Sequence, residues 1–394
     1  MSTADFLGKA HTLLQLRPKT PFRENAWARF LELGLPDKAW EPFRYVPLQK
    51  IYDFAPAPIE ATPHFLSEFR LVFVEGNFQP SLSSLPQGLV ILPLHEALKT
   101  YGPVLQTRLN KTLKEETDPF ALLNLALHDD ALFCYLPPKL QIEKPLHIVY
   151  LGKGAYAPSH LTLFCSSGSS LSTLATTSSF GFHHTSMDVA LEEGAHFSHT
   201  EASMHSGIHL SDFKATLKKQ SSLKHFSATA HDGISRSRLH IALLGEEADA
   251  LLQGLSNSRS AHTHVYVRHV APHARSLQKY KNILKGSAQS SFAGNIYVEK
   301  EAQKTEAYQL NHNLLIGESA IAYAQPNLEI FADDVKASHG ATTAQLDEEH
   351  LFYLTSRGLS RETAHNLLIQ GFIQEMLDAI SHRPLRELVA SHVF

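Results

Sequence analysis

"RLHIALLGEEADALLQGLSNSRSAHTHVYVRHV", residues 238–270, alternates apolar and polar side chains over short segments that Gly, Ser, Asn and Asp interrupt. Alternation with a period of two, bounded by turn-forming residues, predicts short β-strands. Such segments follow one another from about residue 140 to about residue 340, and no long amphipathic helix separates them. A βαβ sheet needs crossover helices, so the pattern argues against one. It leaves a β-sandwich, a β-barrel or a stacked β-helix, and does not choose among the three.

The chain before this region is predicted to be mainly helical. Residues 22–33, "FRENAWARFLEL", carry apolar side chains at helical spacing, and Gly34 predicts where this helix ends. Residues 119–138, "PFALLNLALHDDALFCYLPP", are predicted to form a further helix that its two final prolines close. We therefore assign residues 1–135 to an N-terminal, mainly helical region.

The chain after the strand-rich region is predicted to be helical again. Asp347 and Ser360 each precede a helical segment and are suitable N-caps, and Pro384 predicts the end of the second segment. These features place the β core at residues 136–343 and a small helical domain at residues 344–394.

Composition and charge argue against several classes of protein. The formal net charge is −4, from 35 Lys and Arg against 39 Asp and Glu residues, so no strong field favours nucleic acid or an anionic membrane. We find neither an apolar run long enough to span a bilayer nor a secretory signal pattern, and expect a cytoplasmic protein. With 25 His and 2 Cys, a metal held by this chain alone would be bound through imidazole and carboxylate.

Three segments near the end of the chain carry a resemblance to a known family. They are "AQKTEAYQ" at 302–309, "LEIFADDVKASHGAT" at 328–342 and "LFYLTSRG" at 351–358. In this order and spacing they resemble the SufB/SufD family of SUF iron–sulfur cluster assembly scaffolds, and the D-type (SufD) branch in particular. The resemblance implies a mainly β fold: a right-handed parallel β-helix core flanked by an N-terminal helical region and a small C-terminal helical domain.

The resemblance also implies a function and partners. The chain would be a non-enzymatic scaffold subunit of a SufB–SufC–SufD complex that supports de novo iron–sulfur cluster assembly at the SufB–SufD interface. SufB would pair with the end of the β-helix, and the SufC ATPase would dock on the C-terminal domain. A transient cluster would form at the interface with SufB, and the isolated chain would bind none stably. A homodimer is a lesser alternative when SufB is absent.

His339 is the candidate cluster ligand. We expect it in a small-residue turn between Ser338 and Gly340, where no bulky neighbour covers the ring. By the resemblance, its imidazole completes an iron site with a SufB cysteine, as imidazole replaces thiolate in Rieske centres. Many relatives carry a cysteine where this chain has Ala337, so a thiol there is absent or supplied by the partner.

The resemblance assigns SufC docking to the C-terminal helices. Apolar residues at helical spacing could alternatively pack against the β-helix end. The candidates are Leu351, Phe352, Tyr353, Leu367, Phe372 and Met376.

A different class of function rests on histidine pairs with ligand-like spacing. Such pairs would suit a β-rich, His-dependent metalloenzyme, cupin-like or polysaccharide-lyase-like. With 25 histidines such pairs arise often by chance, and no H-E-x-x-H or P-loop motif accompanies them. The pairs are His262 with His264, His196 with His199, and His205 with His209.

Overall fold

A computed structural model describes residues 3–55, 63–129, 131–152, 154–178, 181–204 and 206–393. Its strands, in chain order, are β1 (Arg70–Val74), β2 (Asn77–Phe78), β3 (Val90–Pro93), β4 (Leu132–Leu136), β5 (Leu146–Leu151), β6 (Tyr156–Cys165), β7 (Ser170–Ser178), β8 (Gly181–Leu191), β9 (His196–Ser203), β10 (Gly207–Leu217), β11 (Ser222–Thr229), β12 (Ile234–Leu243), β13 (Asp249–Ser256), β14 (Ser260–His269), β15 (Arg275–Leu284), β16 (Gln289–Val298), β17 (Thr305–Leu315), β18 (Ile321–Ile330) and β19 (Val335–Gln345).

From β4 onward, consecutive strands alternate between two sheets, and each strand pairs in parallel with the strand two further along. One sheet runs from β2 and β1 through the odd-numbered strands from β5 to β19. The other runs from β3 and β4 through the even-numbered strands from β6 to β18. The chain therefore winds as a solenoid, which confirms the predicted parallel β-helix. Side chains that stack on adjacent coils lie 26 residues apart at Asp212 and Arg238, and 31 apart at Asn282 and Asn313.

The interior between the two sheets is filled by one side chain in two from each strand. On β12 the inward residues Leu239, Ile241 and Leu243 are buried, whereas His240 and Ala242 between them point to the outer face. Fully burying an aliphatic side chain of this size contributes about 1.5–3 kcal/mol. Repeated over many coils, this burial makes the interior the main hydrophobic core.

Helices cover the outer faces of both sheets. They are α1 (Thr3–Gln15), α2 (Pro21–Leu33), α3 (Leu48–Tyr52), α4 (Leu94–Glu115), α5 (Pro119–Leu127), α6 (Glu348–Ser356), α7 (Arg361–Asp378) and α8 (Arg383–Val393). Helices α2 and α5 pack Phe30 and Phe120 in a cluster with Phe182 of β8 and Ile208 of β10. The predicted N-caps are confirmed, because Asp347 accepts from the backbone N–H of Glu349 at 2.8 Å, and Ser360 from that of Thr363 at 3.1 Å.

The C-terminal helices lie across the ten-stranded sheet that contains β19. Ile373 and Met376 of α7 and Val389 of α8 are fully buried, in one cluster with Phe226 of β11 and Ile283 of β15. The docked helices thus cover an outer face of the solenoid and not its end.

Three local predictions are wrong. The helix predicted over residues 119–138 ends at Leu127, and the segment from Leu132 becomes β4 because it pairs with β3 and β6. His339 lies within β19 and not in a turn, because parallel pairing with β17 continues past it to Gln345. Pro384 does not close α7; it occupies the first turn of α8, where a missing N–H has no cost. Strand pairing and helix packing override these local signals.

Stacked glycines at one corner of the solenoid give a prediction for stability. A Cβ on Gly233 would lie 2.1 Å from the carbonyl oxygen of Gly207 on the preceding coil. We expect Gly233→Ala to lower the free energy of unfolding by about 2–3 kcal/mol, because backbone must move to admit the methyl group.

The matched control is Gly371→Ala in α7, where no neighbour lies within 4 Å of the added Cβ. It should raise the free energy of unfolding by about 0.5–1 kcal/mol, since alanine favours helix. Urea unfolding followed by circular dichroism measures both, and equal effects of the two substitutions would contradict the stacked-glycine account.

Candidate partner interface at the open end of the solenoid

The two ends of the solenoid differ in how their strands are closed. At the start, β2 and β3 pair antiparallel with β1 and β4. At the other end, β18 pairs with β16 and β19 with β17, and within the described ranges neither has a strand on its other side. Unlike the buried strands before them, β18 and β19 are largely half-buried or exposed. An edge with unpaired N–H and C=O groups is a surface on which another strand can pair.

His339 lies on β19 at this open end and is exposed. Its Cα partner on the preceding coil is Gln309, which is fully buried and on the inward-facing row of β17. His339 therefore continues an inward row to the rim of the solenoid. Its neighbours on that face, Ala337 and Ala341, are small and leave the rim open.

The interior changes character in the coils behind His339. Gln309 Nε2 donates to Gln278 Oε1 at 2.8 Å, and Asn313 Nδ2 donates to Asn311 Oδ1 at 2.8 Å. These buried carboxamides replace the aliphatic filling of the earlier coils. Our sequence analysis missed them, although the alternation in "QLNHN", residues 309–313, is a readable signal.

The predicted docking residues separate into two groups. Phe352, Tyr353 and Leu367 are 74%, 56% and 47% exposed. Leu351 and Met376 are buried within the C-terminal helices, which leaves them inaccessible to a partner in this conformation. Phe372 is half-buried, with its ring centroid 5.0 Å from Lys281 Nζ.

The apolar candidates on α7 coincide only partly with its buried face, to which Met376 belongs. Leu367 is exposed, whereas Ile369, Ile373 and Leu377 are buried against the sheet. The segment "LLIQGFIQEML" carries apolar residues on more than one side of the helix. The spacing of its apolar residues therefore did not identify the face that packs on the sheet.

A buried ionic network, also missed from the sequence, fixes the N-terminal region to the other sheet. The Arg238 guanidinium lies 2.9 Å from Glu116 Oε1 and 3.0 Å from Asp212 Oδ1. Burial alone would raise the pKa of Glu116, but Arg238 and Lys214 lower it below its ordinary value. The network joins the α4–α5 connection to β10 and β12, so its role is positional.

Two of the candidate metal-binding histidine pairs lie within the described residues and are not arranged as ligand sites. His262 and His264 share a face as predicted, but the ring nitrogens of His262 lie 2.9 Å from Ser260 Oγ and 2.8 Å from Ser291 Oγ. His196 and His199 lie three residues apart on β9 and point to opposite faces of the strand. His196 is exposed, whereas His199 is buried and faces the interior.

For the third pair, His205 lies outside the described residues, and His209 is buried. Throughout the part of the chain that the structure describes, no three His, Cys, Asp or Glu side chains come together in position to hold a metal ion. No helix in this part is long and apolar enough to cross a membrane.

Comparison with known proteins agrees with this architecture. Residues 149–372 match the family model "SUF system FeS cluster assembly, SufBD core domain", and residues 64–148 match "SufBD protein N-terminal region". The chain is 24% identical to the iron–sulfur cluster assembly protein SufD of Escherichia coli, over 95% of this chain and 92% of that protein. It is 29% identical to the SufBD family protein slr0076 of Synechocystis, over 88% of this chain and 84% of that protein. A shorter match, 35% identical over 41% of this chain and 34% of the relative, is to the chloroplastic protein ABCI7 of Arabidopsis thaliana.

The solenoid and these matches define the class as an iron–sulfur cluster assembly protein built on a parallel β-helix. Since the core model alone covers more than half of the residues, the chain belongs to the SufBD family of the SUF system.

The buried histidines predict how stability depends on pH. Burial lowers the pKa of His184, His199 and His262 to about 3 and that of His269 to about 4. In the unfolded chain these rings take up protons below about pH 6.5. Their stabilising contribution is therefore complete above that pH and is lost as the pH falls from about 6.5 towards about 3.

We expect the thermal unfolding temperature to fall steeply between about pH 6.5 and 4.5, since each such histidine changes the free energy of unfolding by up to about 1.4 kcal/mol per pH unit. His199→Gln should make the profile less steep, and His196→Gln, at an exposed position on the same strand, is the control for the substitution itself. A flat profile across this range would show that the rings protonate within the fold.

Proposed function

We propose that this chain is a non-enzymatic, D-type scaffold subunit of a SufB–SufC–SufD complex, where it supports de novo iron–sulfur cluster assembly at the SufB–SufD interface. The observation that carries the proposal is the exposed imidazole of His339 on β19, the edge strand that pairs with β17 on one side only. The match to Escherichia coli SufD along nearly the whole chain supports the D-type assignment. The proposed location of the protein is the cytoplasm.

SufB is the proposed partner at the open end. Strands β18 and β19 are ten and eleven residues long, so each offers a row of backbone groups for edge pairing. Apolar side chains border this edge: Ile330 and Phe331 are 37% and 57% exposed. A second copy of this chain is the proposed occupant when SufB is absent.

His339 would supply one ligand to a transient cluster, with thiolates from SufB. The cysteines of this chain, Cys134 and Cys165, are buried at 2% and 0% exposure and cannot reach the interface. Ala337 provides no thiol on β19. An imidazole on iron beside thiolates from another source is compatible with known cluster ligation.

The SufC ATPase is the proposed partner of the C-terminal helices. Phe352 and Tyr353 on α6 and Leu367 on α7 are the large apolar side chains exposed on the described part of these helices. Aromatic side chains of this kind frequently dominate the binding energy of an interface. The buried Leu351 and Met376 would support this surface from beneath.

His339→Ala should leave the complex assembled and lower cluster formation in cells by about tenfold or more, because even outer-shell changes at metal sites have effects of this size. Complex assembly is measured by co-purification, and cluster output by the activity of an iron–sulfur reporter enzyme. His196→Ala, an exposed histidine on β9, is the matched control. Normal reporter activity with His339→Ala would remove the ligand role.

Phe352→Ala and Tyr353→Ala should each weaken binding of the SufC ATPase by about tenfold to thirtyfold, the effect of truncating an interface anchor. Isothermal titration calorimetry with purified ATPase measures the affinity. Leu16→Ala is the control, since Leu16, the residue after α1, is 74% exposed and distant in sequence from this surface. Unchanged affinity in both aromatic variants would place SufC elsewhere on the chain.

A further inference from the structure

Helix α7 is fixed to the ten-stranded sheet by two lysines of β15. Lys279 pairs with Glu375, and Lys281 Nζ lies 3.5 Å from the other Glu375 oxygen. Lys281 Nζ also donates to the backbone carbonyl of Phe372 at 2.6 Å. The Lys281 side chain is only 12% exposed. These polar contacts add to the apolar cluster that seats α7 on the sheet.

The row of outer-face residues that contains Lys281 continues to the open edge. Its Cα partner on β17 is His312, and the Cα partner of His312 on β19 is Thr342. His312 Nδ1 and Thr342 Oγ1 lie 2.8 Å apart, within hydrogen-bonding distance. Side-chain contacts therefore join α7 to β15 and β17 to β19, and the paired backbones of β15 and β17 connect the two at Lys281 and His312.

The adjacent row makes a second connection of the same kind. Lys279 is the Cα partner of Leu310, and Leu310 that of Gly340. A Cβ on Gly340 would be only 3.3 Å from Leu310 Cδ2, so Leu310 lies against the backbone next to His339. Both lysines thus have a Cα partner on β17 that lies against the edge strand, Leu310 at Gly340 next to His339 and His312 at Thr342.

We propose that His312 is a positioning residue that couples the seating of α7 on β15 to the placement of edge strand β19 around His339. The coupling is a property of this chain alone. This coupling would transmit movements of a docked ATPase to the cluster interface, a role that rests on the proposed function.

The surroundings of His312 suit this role. Lys281 and Lys279 face it from β15 and Glu375 from α7, while β19 presents the uncharged Thr342. Burial and the two lysines lower the pKa of His312. A lowered pKa favours the neutral ring at pH 7, in which Nδ1 can accept a hydrogen bond from the Thr342 hydroxyl. One ring is thus in contact with β19 and in the field of the ion pairs that hold α7.

Hydrogen exchange of the full chain, followed by mass spectrometry without any partner, tests the coupling. Glu375→Gln, His312→Ala and Thr342→Val should each raise exchange of the peptide spanning 335–345 about two- to fivefold, the range expected for losing one partly exposed polar contact. The peptide spanning 222–229 in β11 should be unchanged. His312→Asn, which keeps a polar atom near the position of Nδ1, should restore most of the protection.

The double variants separate coupling from general loosening. In the variant that combines Glu375→Gln with His312→Ala, the 335–345 peptide should exchange no faster than in His312→Ala alone. Both substitutions break the same connection between α7 and β19, so their effects should not multiply. Lys336→Met is the matched control, since Lys336 joins β19 to Glu306 at 3.0 Å through an exposed ion pair outside these rows. Its effect should multiply with that of Glu375→Gln.

Two results would overturn the proposal: β19 exchange unaffected by Glu375→Gln, or multiplied effects in the Glu375→Gln, His312→Ala double variant. Neither measurement involves SufB, SufC or a cluster. Failure here therefore leaves the scaffold proposal standing, and failure of partner binding leaves the coupling intact.

Discussion

In-register pairing of each strand with the strand two further along is the constraint on which the rest of this molecule depends. It fixes the alternation of inward and outward side chains, and so makes an apolar interior and two outer faces from one pattern. A coil within the stack satisfies its backbone groups against two neighbours. The last coil has one, so the same interaction that builds the core also leaves β18 and β19 ready to receive a partner.

The sequence was most informative where the deciding interaction is local. Asp347 and Ser360 cap helices through the N–H groups two or three residues away, so the side chain and its partner lie in one readable segment. The alternation in 238–270 likewise reports strands directly, and the resemblance selected the β-helix from three candidates. By contrast, the segment from Leu132 reads as helix or strand equally well, and only β3 and β6 decide it.

The site was predictable in part for the same reason. Exposure of His339 followed from its small neighbours, but its place on an edge strand depends on Gln309, thirty residues earlier in the chain. The buried face of α7 is set by the sheet it covers, and Ile369 and Ile373, not Leu367, meet that sheet. The pairing of Glu116 with Arg238 joins segments that no local pattern relates.

The C-terminal helices contact residues of β7, β11, β13, β15 and β17 in a single apolar cluster. Stacked repeats with only nearest-neighbour contacts lose their ends one unit at a time. Here the C-terminal helices share one cluster with coils from β7 to β17, so these coils cannot separate one at a time without exposing the apolar side chains that the helices cover. We therefore expect the coils beneath these helices to unfold together as one cooperative unit.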